Sequence, residues 1–291
     1  MPSNGYIGRF APSPSGPLHF GSIVTALGSY LQARQRKGKW LVRIEDIDTQ
    51  RTVNGADKII LHQLENLGLF WDDEVVYQSQ RIPLYESALE RLNKSGLTFP
   101  CACTRKEIAE SPYSCTCRNG IAKGKTGRSI RIKTDDRDIS FNDKLQGSYS
   151  QSLHTEVGDF VIKRADGQFA YHLAVVVDDA EQSITDIVRG ADLIDSTPRQ
   201  IYLQKLLESA TPHYTHLPVV IDKYGNKLSK ASTAKADYID NPAETLTKAL
   251  VFLGQSPEKH LSNASVQEIL QWAINNWTLK NISQIREITL D

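Results

Sequence analysis

The sequence predicts an α/β fold in which helices cover a parallel sheet. Apolar runs at 6–11 and 40–44 are each followed by segments whose apolar residues recur at helical spacing. Strand–helix alternation of this kind is typical of parallel sheets. Two short strings, at 12–21 and 227–230, follow predicted strands and contain residue types that bind phosphate. Their residue types and their positions after predicted strands also favour this fold.

The first part of the predicted fold covers residues 1–98. The run 6–11 predicts a buried strand that ends at a loop rich in Pro, Ser and Gly. A helix then ends at Gly38, and the strand 40–44 runs into the acidic string EDID at 45–48. Two more helical patterns complete this part, and each ends at a glycine, Gly68 and Gly96.

The alternation breaks over residues 99–165. All four cysteines of the chain lie between Cys101 and Cys117, and short alternating segments such as 129–133 follow them. We therefore expect a small domain inserted into the α/β fold here.

The alternation resumes over 166–237, with the apolar run 169–177 in the place of a strand. A helix is predicted next, with Thr197 as its N-cap and Pro198 as its first helical residue. The apolar run 217–221 predicts another buried strand. A turn then leads to the second phosphate-binding string.

The last segment, 238–291, is predicted to be helical. Asn241 followed by Pro242 is a typical helix start, and Ser265 with Glu268 fits a capping box for a second helix.

Composition restricts the possible partners. The 291 residues carry a formal net charge of zero and are 40% hydrophobic, as in ordinary globular proteins. Any RNA contact must therefore use local basic patches rather than bulk charge. No apolar run approaches the roughly 20 residues that span a bilayer, and the N-terminus lacks a signal-peptide pattern. We expect a cytoplasmic protein without a membrane partner.

The cysteines indicate a metal site. Their pattern is C-x-C at Cys101 and Cys103, then C-x-C at Cys115 and Cys117. Four thiols within one turn-rich stretch of a cytosolic chain favour metal over disulfides. The spacing alone predicts a Cys₄ zinc site, and a closed site of four ligands is structural rather than catalytic.

The two phosphate-binding strings predict an ATP site. In the first, Gly16 and Gly21 allow close approach of a ligand, and His19 stands where the loop becomes a helix. In the second, Lys227 and Lys230 can stabilise negative charge that develops on a phosphate. Together they predict a nucleotide triphosphate held from both sides.

The pair of strings resembles the HIGH and KMSKS signatures of class I aminoacyl-tRNA synthetases. LHFG at 18–21 stands for the first signature and KLSK at 227–230 for the second. Ser22 and Leu228 depart from the signatures, whereas the residues expected to contact phosphate are retained. The resemblance implies a Rossmann-like doubly wound parallel sheet, with His19 and Lys230 as catalytic residues.

A closer resemblance is to the glutamyl-tRNA synthetase group. RFAPSPSG at 9–16 and RIEDID at 43–48 carry it, and it extends from Tyr6 to about Ala231. It implies that Ser13 contributes to the ATP site.

The glutamate pocket can also be argued from charge. A glutamate substrate needs arginines for its two carboxylates and an acid for its ammonium group. Arg9 and Arg189 suit the carboxylates, Glu45 suits the ammonium group, and Tyr171 can add a hydroxyl. All four fall on positions that bind glutamate in the resembling family, which also implies Ala11 and Ser13.

The same resemblance gives a second prediction for the zinc ligands. In that family the ligands are a C-x-C pair, a tyrosine and a cysteine four residues after it, which Tyr113 and Cys117 match. Cys115 and Tyr113 thus stay alternative fourth ligands beside Cys101, Cys103 and Cys117. We expect Mg²⁺ with ATP, and the sequence shows no ligand for it.

The chain ends about sixty residues after Lys230, where longer synthetases continue into an anticodon-binding region. In this it is similar to the family of glutamyl-queuosine tRNA(Asp) synthetases. That resemblance implies glutamate activation by ATP without tRNA, then transfer to queuosine at the wobble position of tRNA(Asp). It also implies that 238–291 is a remnant of a stem-contact region, and we expect a monomer.

Three alternatives remain. A truncated glutamyl-tRNA(Glu) synthetase would share every motif. A non-catalytic RNA-binding paralogue should have lost His19, Lys230 or the pocket arginines, and all are present. A metal-binding interaction module would not need a nucleotide loop.

Overall fold

The computed structural model describes residues 5–104, 107–108, 116–225 and 241–289. Within them, no helix is both long and apolar enough to cross a membrane. The fold begins with three parallel strands in the order β1 (Ile7–Phe10), β2 (Lys39–Ile44) and β3 (Val76–Tyr77).

A second parallel pair, β9 (Asp186–Gly190) and β10 (His213–Leu217), lies on the other side of β1. The Thr185 backbone N–H donates to the Ile7 carbonyl at 2.9 Å, and the Ile7 N–H donates to the Thr185 hydroxyl at 2.9 Å. The spatial order is therefore β3-β2-β1-β9-β10. The carboxyl ends of these strands meet at one edge, where ligands bind in sheets of this kind.

Helices cover both faces of this sheet. In β2, Trp40, Val42 and Ile44 pack into a core with α1 (Phe20–Gln35), while Leu41 packs into a second core on the opposite face. This alternation is the period-two pattern of a sheet buried on both sides. The predicted parallel sheet between helices is therefore confirmed, as are the helices α2 (Ala56–Asn66) and α3 (Ile82–Lys94).

The middle of the chain contains antiparallel structure. One sheet has the order β4-β5-β8, and a separate hairpin pairs β6 with β7. A short helix, α4, follows the hairpin. The bounds are β4 (Thr98–Cys101), β5 (Ser129–Ile132), β6 (Asp138–Asp143), β7 (Gly147–Ser152), α4 (Leu153–Glu156) and β8 (Val161–Lys163). The four segment boundaries drawn from the sequence stay predictions.

The prediction of a strand for the apolar run 169–177 was wrong. Instead of a strand, most of it forms α5 (Tyr171–Glu181). This helix is buried over Leu173–Asp179, so its apolar residues do not show the helical period of a surface helix. Length and period alone cannot separate such a helix from a buried strand.

The helix predicted at Thr197 is α6 (Thr197–Leu206), but its N-cap is Ser196. Thr197 is instead the first helical residue, and its hydroxyl accepts a hydrogen bond from Arg189. The Thr197 side chain therefore binds Arg189 and does not cap the helix.

The predicted strand at 217–221 is split at Pro218 between β10 and β11 (Val219–Ile221). In the last segment α7 (Pro242–Phe252) and α8 (Val266–Asn276) form with the predicted Asn241 cap and the predicted capping box. The segment is not wholly helical, because β12 (Glu287–Thr289) pairs with β11. Both helices contribute to the same hydrophobic core as α1. Trp277, which follows α8, donates from Nε1 to Gln32 of α1 at 2.7 Å.

Candidate active site

A cavity of about 690 Å³ opens at the carboxyl ends of β1, β2 and β9. The predicted pocket residues within the described part of the chain meet there, although they come from segments far apart in the sequence. Those lining the cavity are Arg9, Ala11, Ser13, His19, Gly21, Glu45, Tyr171 and Arg189. Gly16 lies in the same loop but not in the lining. Lys227 and Lys230 lie outside the described residues.

The loop between β1 and α1 is held in place by backbone hydrogen bonds. The buried Gln63 of α2 accepts the Leu18 N–H at 2.7 Å, and the Glu45 N–H donates to the Pro12 carbonyl at 3.0 Å. Gly16 has a φ of 130°, a conformation that only glycine adopts without strain. The loop therefore has a defined shape at the start of α1, where the helix dipole favours phosphate.

His19 is the N-cap of α1. Its Nδ1 accepts the Ser22 backbone N–H at 3.3 Å, and its Nε2 lies 3.1 Å from the Ser22 hydroxyl. A Cβ at Gly21 would lie 3.3 Å from the imidazole, so a larger residue would crowd the ring. The histidine predicted to contact phosphate thus stands at the helix N-terminus and lines the cavity.

Arg9 is oriented by an acid that the sequence prediction missed. Its Nε donates to Asp179 Oδ1 at 3.0 Å and its Nη2 donates to Oδ2 at 3.3 Å. Arg43 Nη2 lies 2.8 Å from the same carboxylate. Burial acts to raise the pKa of Asp179, but the two guanidiniums hold it below its ordinary value. Asp179 is therefore ionised and fixes Arg9 at the cavity wall.

The neighbouring Asp178 is fully buried and connects this pair to α3. It accepts hydrogen bonds from Gln78, Arg81 and the Tyr85 hydroxyl, at distances of 2.6 to 3.0 Å. Arg43 lies 3.7 Å from it. These partners satisfy a carboxylate that would otherwise be costly to bury.

Glu45 is the acid nearest the predicted ammonium position. Its side chain is 9% exposed and lies 3.5 Å from Arg43 Nη2. Burial raises the pKa of Glu45 to about 7, against the opposing effects of Arg43 and Arg9. A carboxylate of this kind gains from a bound cation, because the cation replaces the lost solvation.

The Arg189 guanidinium is hydrogen-bonded to protein side chains through two of its three nitrogens. Its Nε donates to His216 Nε2 at 3.0 Å and its Nη2 donates to the Thr197 hydroxyl at 2.7 Å. The residue is 4% exposed and lines the cavity, yet Nη1 has no hydrogen-bond partner among the described residues. A buried guanidinium nitrogen without a partner is costly, and a substrate carboxylate would satisfy it.

Tyr171 and His172, at the start of α5, complete this wall. Burial raises the pKa of Tyr171, so its hydroxyl stays protonated. Burial, with Arg199 nearby, lowers the pKa of His172 to about 3. His172 is therefore a neutral lining residue, which the sequence gave no reason to select.

The described cysteines form a cluster beside β4. The Sγ atoms of Cys101, Cys103 and Cys117 all lie within 4.8 Å of one another, and Cys103 Sγ is 3.7 Å from Cys117 Sγ. Tetrahedral zinc with bonds of about 2.3 Å separates its sulfurs by about 3.8 Å, which fits this spacing. A disulfide would require about 2.0 Å. Tyr113 and Cys115, the two candidate fourth ligands, lie outside the described residues.

The sequence prediction missed the residues that orient the arginines, namely Asp179 and His216. One signal was available for Asp179: a pair of acids at the end of a buried apolar run must meet buried cations. His216 gave no signal, because its partners are 27 and 73 residues away along the chain.

The family model that matches the chain is that of class I tRNA synthetases for E and Q, catalytic domain, over residues 7–123 and 114–291. A glutamyl-Q tRNA(Asp) synthetase of Aromatoleum aromaticum is 52% identical over 285 residues, covering 95% of this chain and 90% of that protein. One of Vibrio vulnificus is 47% identical over 292 residues, covering 99% and 95%.

Solved structures resemble the fold over nearly the whole chain. A glutamate–tRNA synthetase from Elizabethkingia anophelis superposes with a TM-score of 0.81 at 26% identity, covering 99% of this chain and 68% of that one. A glutamate tRNA ligase from Elizabethkingia meningosepticum, in complex with its amino acid, gives the same score and identity and covers 98% and 67%.

Proposed function

Because the chain belongs to the family of class I tRNA synthetase catalytic domains for glutamate and glutamine, we propose that it uses ATP to join L-glutamate to queuosine in tRNA(Asp). It is a class I aminoacyl-tRNA synthetase-like ligase. The observation that carries the glutamate assignment is that the buried arginines Arg9 and Arg189 and the carboxylate of Glu45 line one cavity. The acceptor assignment is supported by the relatives that match over nearly their full length.

The charges of the cavity suit glutamate as substrate. Arg9 and the unpartnered Nη1 of Arg189 can pair with the two carboxylates, and Glu45 can accept from the ammonium group. The hydroxyl of Tyr171 and the loop residues Ala11 and Ser13 complete the amino-acid site. Guanidinium pairs with carboxylates are strong because both partners are charged and the geometry is bidentate.

The first reaction is adenylation. An oxygen of the glutamate α-carboxylate attacks the α-phosphorus of ATP, a new P–O bond forms, and pyrophosphate leaves with the electrons of the broken bond. His19 and the α1 N-terminus lie where they can stabilise phosphate charge, and Lys230 is assigned the same task from the opposite side. The Mg²⁺ expected with ATP is assigned to no described residue.

The second reaction is transfer. A hydroxyl of the queuosine ring attacks the carbonyl carbon of glutamyl-adenylate, and an ester bond forms. The bond between that carbon and the phosphate oxygen breaks, AMP leaves with its electrons, and the hydroxyl proton passes to the departing phosphate or to water. The enzyme's contribution is to hold the two reactants in line, which converts a bimolecular step into an effectively unimolecular one.

The test is glutamylation of total tRNA from cells with and without queuosine. Labelling only in the queuosine-containing tRNA supports the proposal, and equal labelling of both overturns it. Charging of tRNA(Glu) would favour a truncated glutamyl-tRNA synthetase. Absence of glutamate-dependent ATP–pyrophosphate exchange would favour a non-catalytic RNA-binding protein.

We also propose that the cysteine cluster holds one structural Zn²⁺ through Cys101, Cys103 and Cys117, with Tyr113 or Cys115 as the fourth ligand. The fit of three sulfurs to zinc spacing supports this. A thiolate metal site and a tRNA substrate both suit a reducing compartment, so we assign the chain to the cytoplasm. A monomer is expected, and its mass in solution would test this.

A further inference from the structure

A buried chain of polar side chains extends from the β6–β7 hairpin to the cavity. Asp143 stands at the end of β6, His216 lies in β10, and Arg189 lies in β9 at the cavity wall. His216 is fully buried, and Asp143 and Arg189 are 5% and 4% exposed. A polar chain so well shielded from water must satisfy its own hydrogen bonds.

Asp143 is held as an acceptor. Its Oδ1 accepts the backbone N–H groups of Leu145, Gln146 and His216 at 2.9 to 3.1 Å. Its Oδ2 lies 2.6 Å from His216 Nδ1. His216 acts to lower the pKa of Asp143 although burial acts to raise it, and the net pKa is below the ordinary value. An ionised carboxylate can only accept, so His216 Nδ1 must carry the proton.

The protonation of His216 follows from this contact. Burial lowers the pKa of His216 to about 4, against the opposing hydrogen bond with Asp143. The ring is therefore neutral near pH 7, with its proton on Nδ1 and a lone pair on Nε2. That lone pair accepts the Arg189 Nε–H at 3.0 Å.

The guanidinium of Arg189 is thus held along one edge. His216 accepts from Nε, and the Thr197 hydroxyl accepts from Nη2 at 2.7 Å. The guanidinium carbon Cζ lies over the Tyr214 ring, 5.3 Å from its centroid. These contacts leave Nη1, which has no partner among the described residues, as the nitrogen available to a ligand.

We propose that Asp143 and His216 are positioning residues for glutamate: Asp143 fixes the tautomer of His216, and His216 fixes the guanidinium plane of Arg189 so that Nη1 receives a substrate carboxylate. The inference rests on the proposed function, because it takes Arg189 as a glutamate ligand. It gives the hairpin, which lies outside the parallel sheet, a defined part in the amino-acid pocket.

The sharpest variant is Asp143→Asn. The amide oxygen can still accept the three backbone N–H groups, so the turn is preserved. The amide nitrogen replaces Oδ2 and donates to His216 Nδ1, which moves the imidazole proton to Nε2. Two donors, Nε2–H and the Arg189 Nε–H, then face each other.

The measurement is glutamate-dependent ATP–pyrophosphate exchange. We expect Asp143→Asn to raise the KM for glutamate about tenfold or more while the KM for ATP changes less than about twofold, since a buried hydrogen bond to a charged group is lost. A merely structural role would change both constants or the amount of active enzyme. Asp159→Asn is the matched control. Asp159 is also 5% exposed and also accepts a backbone N–H, from Thr134, but it does not contact Arg189.

A pair of His216 variants gives an independent test. In His216→Gln the amide oxygen can reach the place of Nε2 and accept from Arg189. In His216→Asn the shorter amide can reach only the place of Nδ1 and leaves Arg189 Nε without an acceptor. We expect the glutamine variant to keep the lower KM for glutamate, by about tenfold. This pair decides the matter if circular dichroism shows that Asp143→Asn does not fold.

The failures are distinguishable. A wild-type protein that shows no glutamate-dependent exchange would overturn the proposed function. A wild-type protein that is active, with a folded Asp143→Asn variant whose KM for glutamate stays within about twofold, would overturn the positioning role alone. Equal KM values for the two His216 variants would do the same.

Discussion

Arg9 and Asp179 lie 170 residues apart and form a buried pair with two hydrogen bonds, Nε to Oδ1 at 3.0 Å and Nη2 to Oδ2 at 3.3 Å. Their side chains are 4% and 5% exposed. Arg43 shares the same carboxylate. The position of the arginine assigned to glutamate thus depends on an acid of α5 that is distant along the chain.

We expect Asp179→Asn to lower the free energy of unfolding by about 3 kcal/mol or more, because it leaves two buried guanidiniums short of a countercharge. Asp73→Asn is the control. It removes the exposed Lys39–Asp73 pair, in which both side chains are 55% exposed, and should cost less than about 1 kcal/mol. Urea denaturation measures both. Equal costs would contradict the structural importance of the Arg9–Asp179 pair.

The pKa of Glu45 predicts how glutamate binding depends on pH. Burial raises this pKa to about 7, so the carboxylate that accepts the ammonium group becomes protonated as the pH falls below 7. We expect the KM for glutamate to rise toward lower pH, by about fivefold from pH 7 to pH 6, and to level off above pH 8. Exchange kinetics from pH 6 to 9 measure this. In Glu45→Gln the KM should be high and much less dependent on pH, and a similar slope in both proteins would contradict the assignment.

The free energy of unfolding should also depend on the ionisation of Glu45, but with the opposite dependence on pH. The folded pKa is raised above the unfolded value of about 4.3, so the native state holds the proton more tightly. The contribution of Glu45 is then fully present below about pH 4.3 and is lost as the pH rises through about 7. We therefore expect the wild type to lose stability relative to Glu45→Gln between pH 5 and pH 8. Denaturant unfolding at both values measures it.

The sequence predicted which residues line the cavity better than it predicted how they are held. Arg9, Glu45 and Arg189 follow from strand ends and from the charges of a glutamate substrate, and all three line one cavity. The acid pair at the end of the apolar run indicated that Asp179 meets a buried cation. The pairing of Asp179 with Arg9 and of His216 with Arg189 could not be predicted, because contacts over such separations leave no periodic pattern in the sequence.

The same limit explains the error at 169–177. A run that is apolar on all sides has no single face, so a buried helix and a buried strand give the same pattern. By contrast, α1 was predicted correctly because its apolar residues Ile23, Leu27 and Leu31 repeat at helical spacing and Gly38 ends the pattern. Residues 26–33 of α1 are all buried, so the long helical repeat and the glycine stop identified this helix, and an exposed face did not.

His19 has two tasks that substitution can separate. As N-cap it accepts the Ser22 N–H, and as a cavity residue it is assigned to ATP phosphate. Asparagine can cap a helix but cannot replace the imidazole at the phosphate, whereas alanine can do neither. We expect both His19→Asn and His19→Ala to lower the exchange rate about 10²- to 10³-fold. Only His19→Ala should also lower the free energy of unfolding, by about 1 kcal/mol. Full exchange activity in the asparagine variant would restrict His19 to capping.

Metal analysis tests the cysteine cluster. We expect about one Zn²⁺ per purified chain, and less than about 0.1 in Cys101→Ser and Cys117→Ser, because a thiolate supplies affinity that a serine hydroxyl does not. Both variants should melt at a lower temperature, since the metal is expected to crosslink β4 to residues near Cys117. The fourth ligand is decided by a matched pair. If Tyr113 binds zinc, Tyr113→Phe loses the metal and Cys115→Ser keeps it, and the reverse result assigns Cys115. A wild-type chain purified without zinc, whose melting temperature is unchanged by added zinc or by a chelator, would contradict a structural metal site.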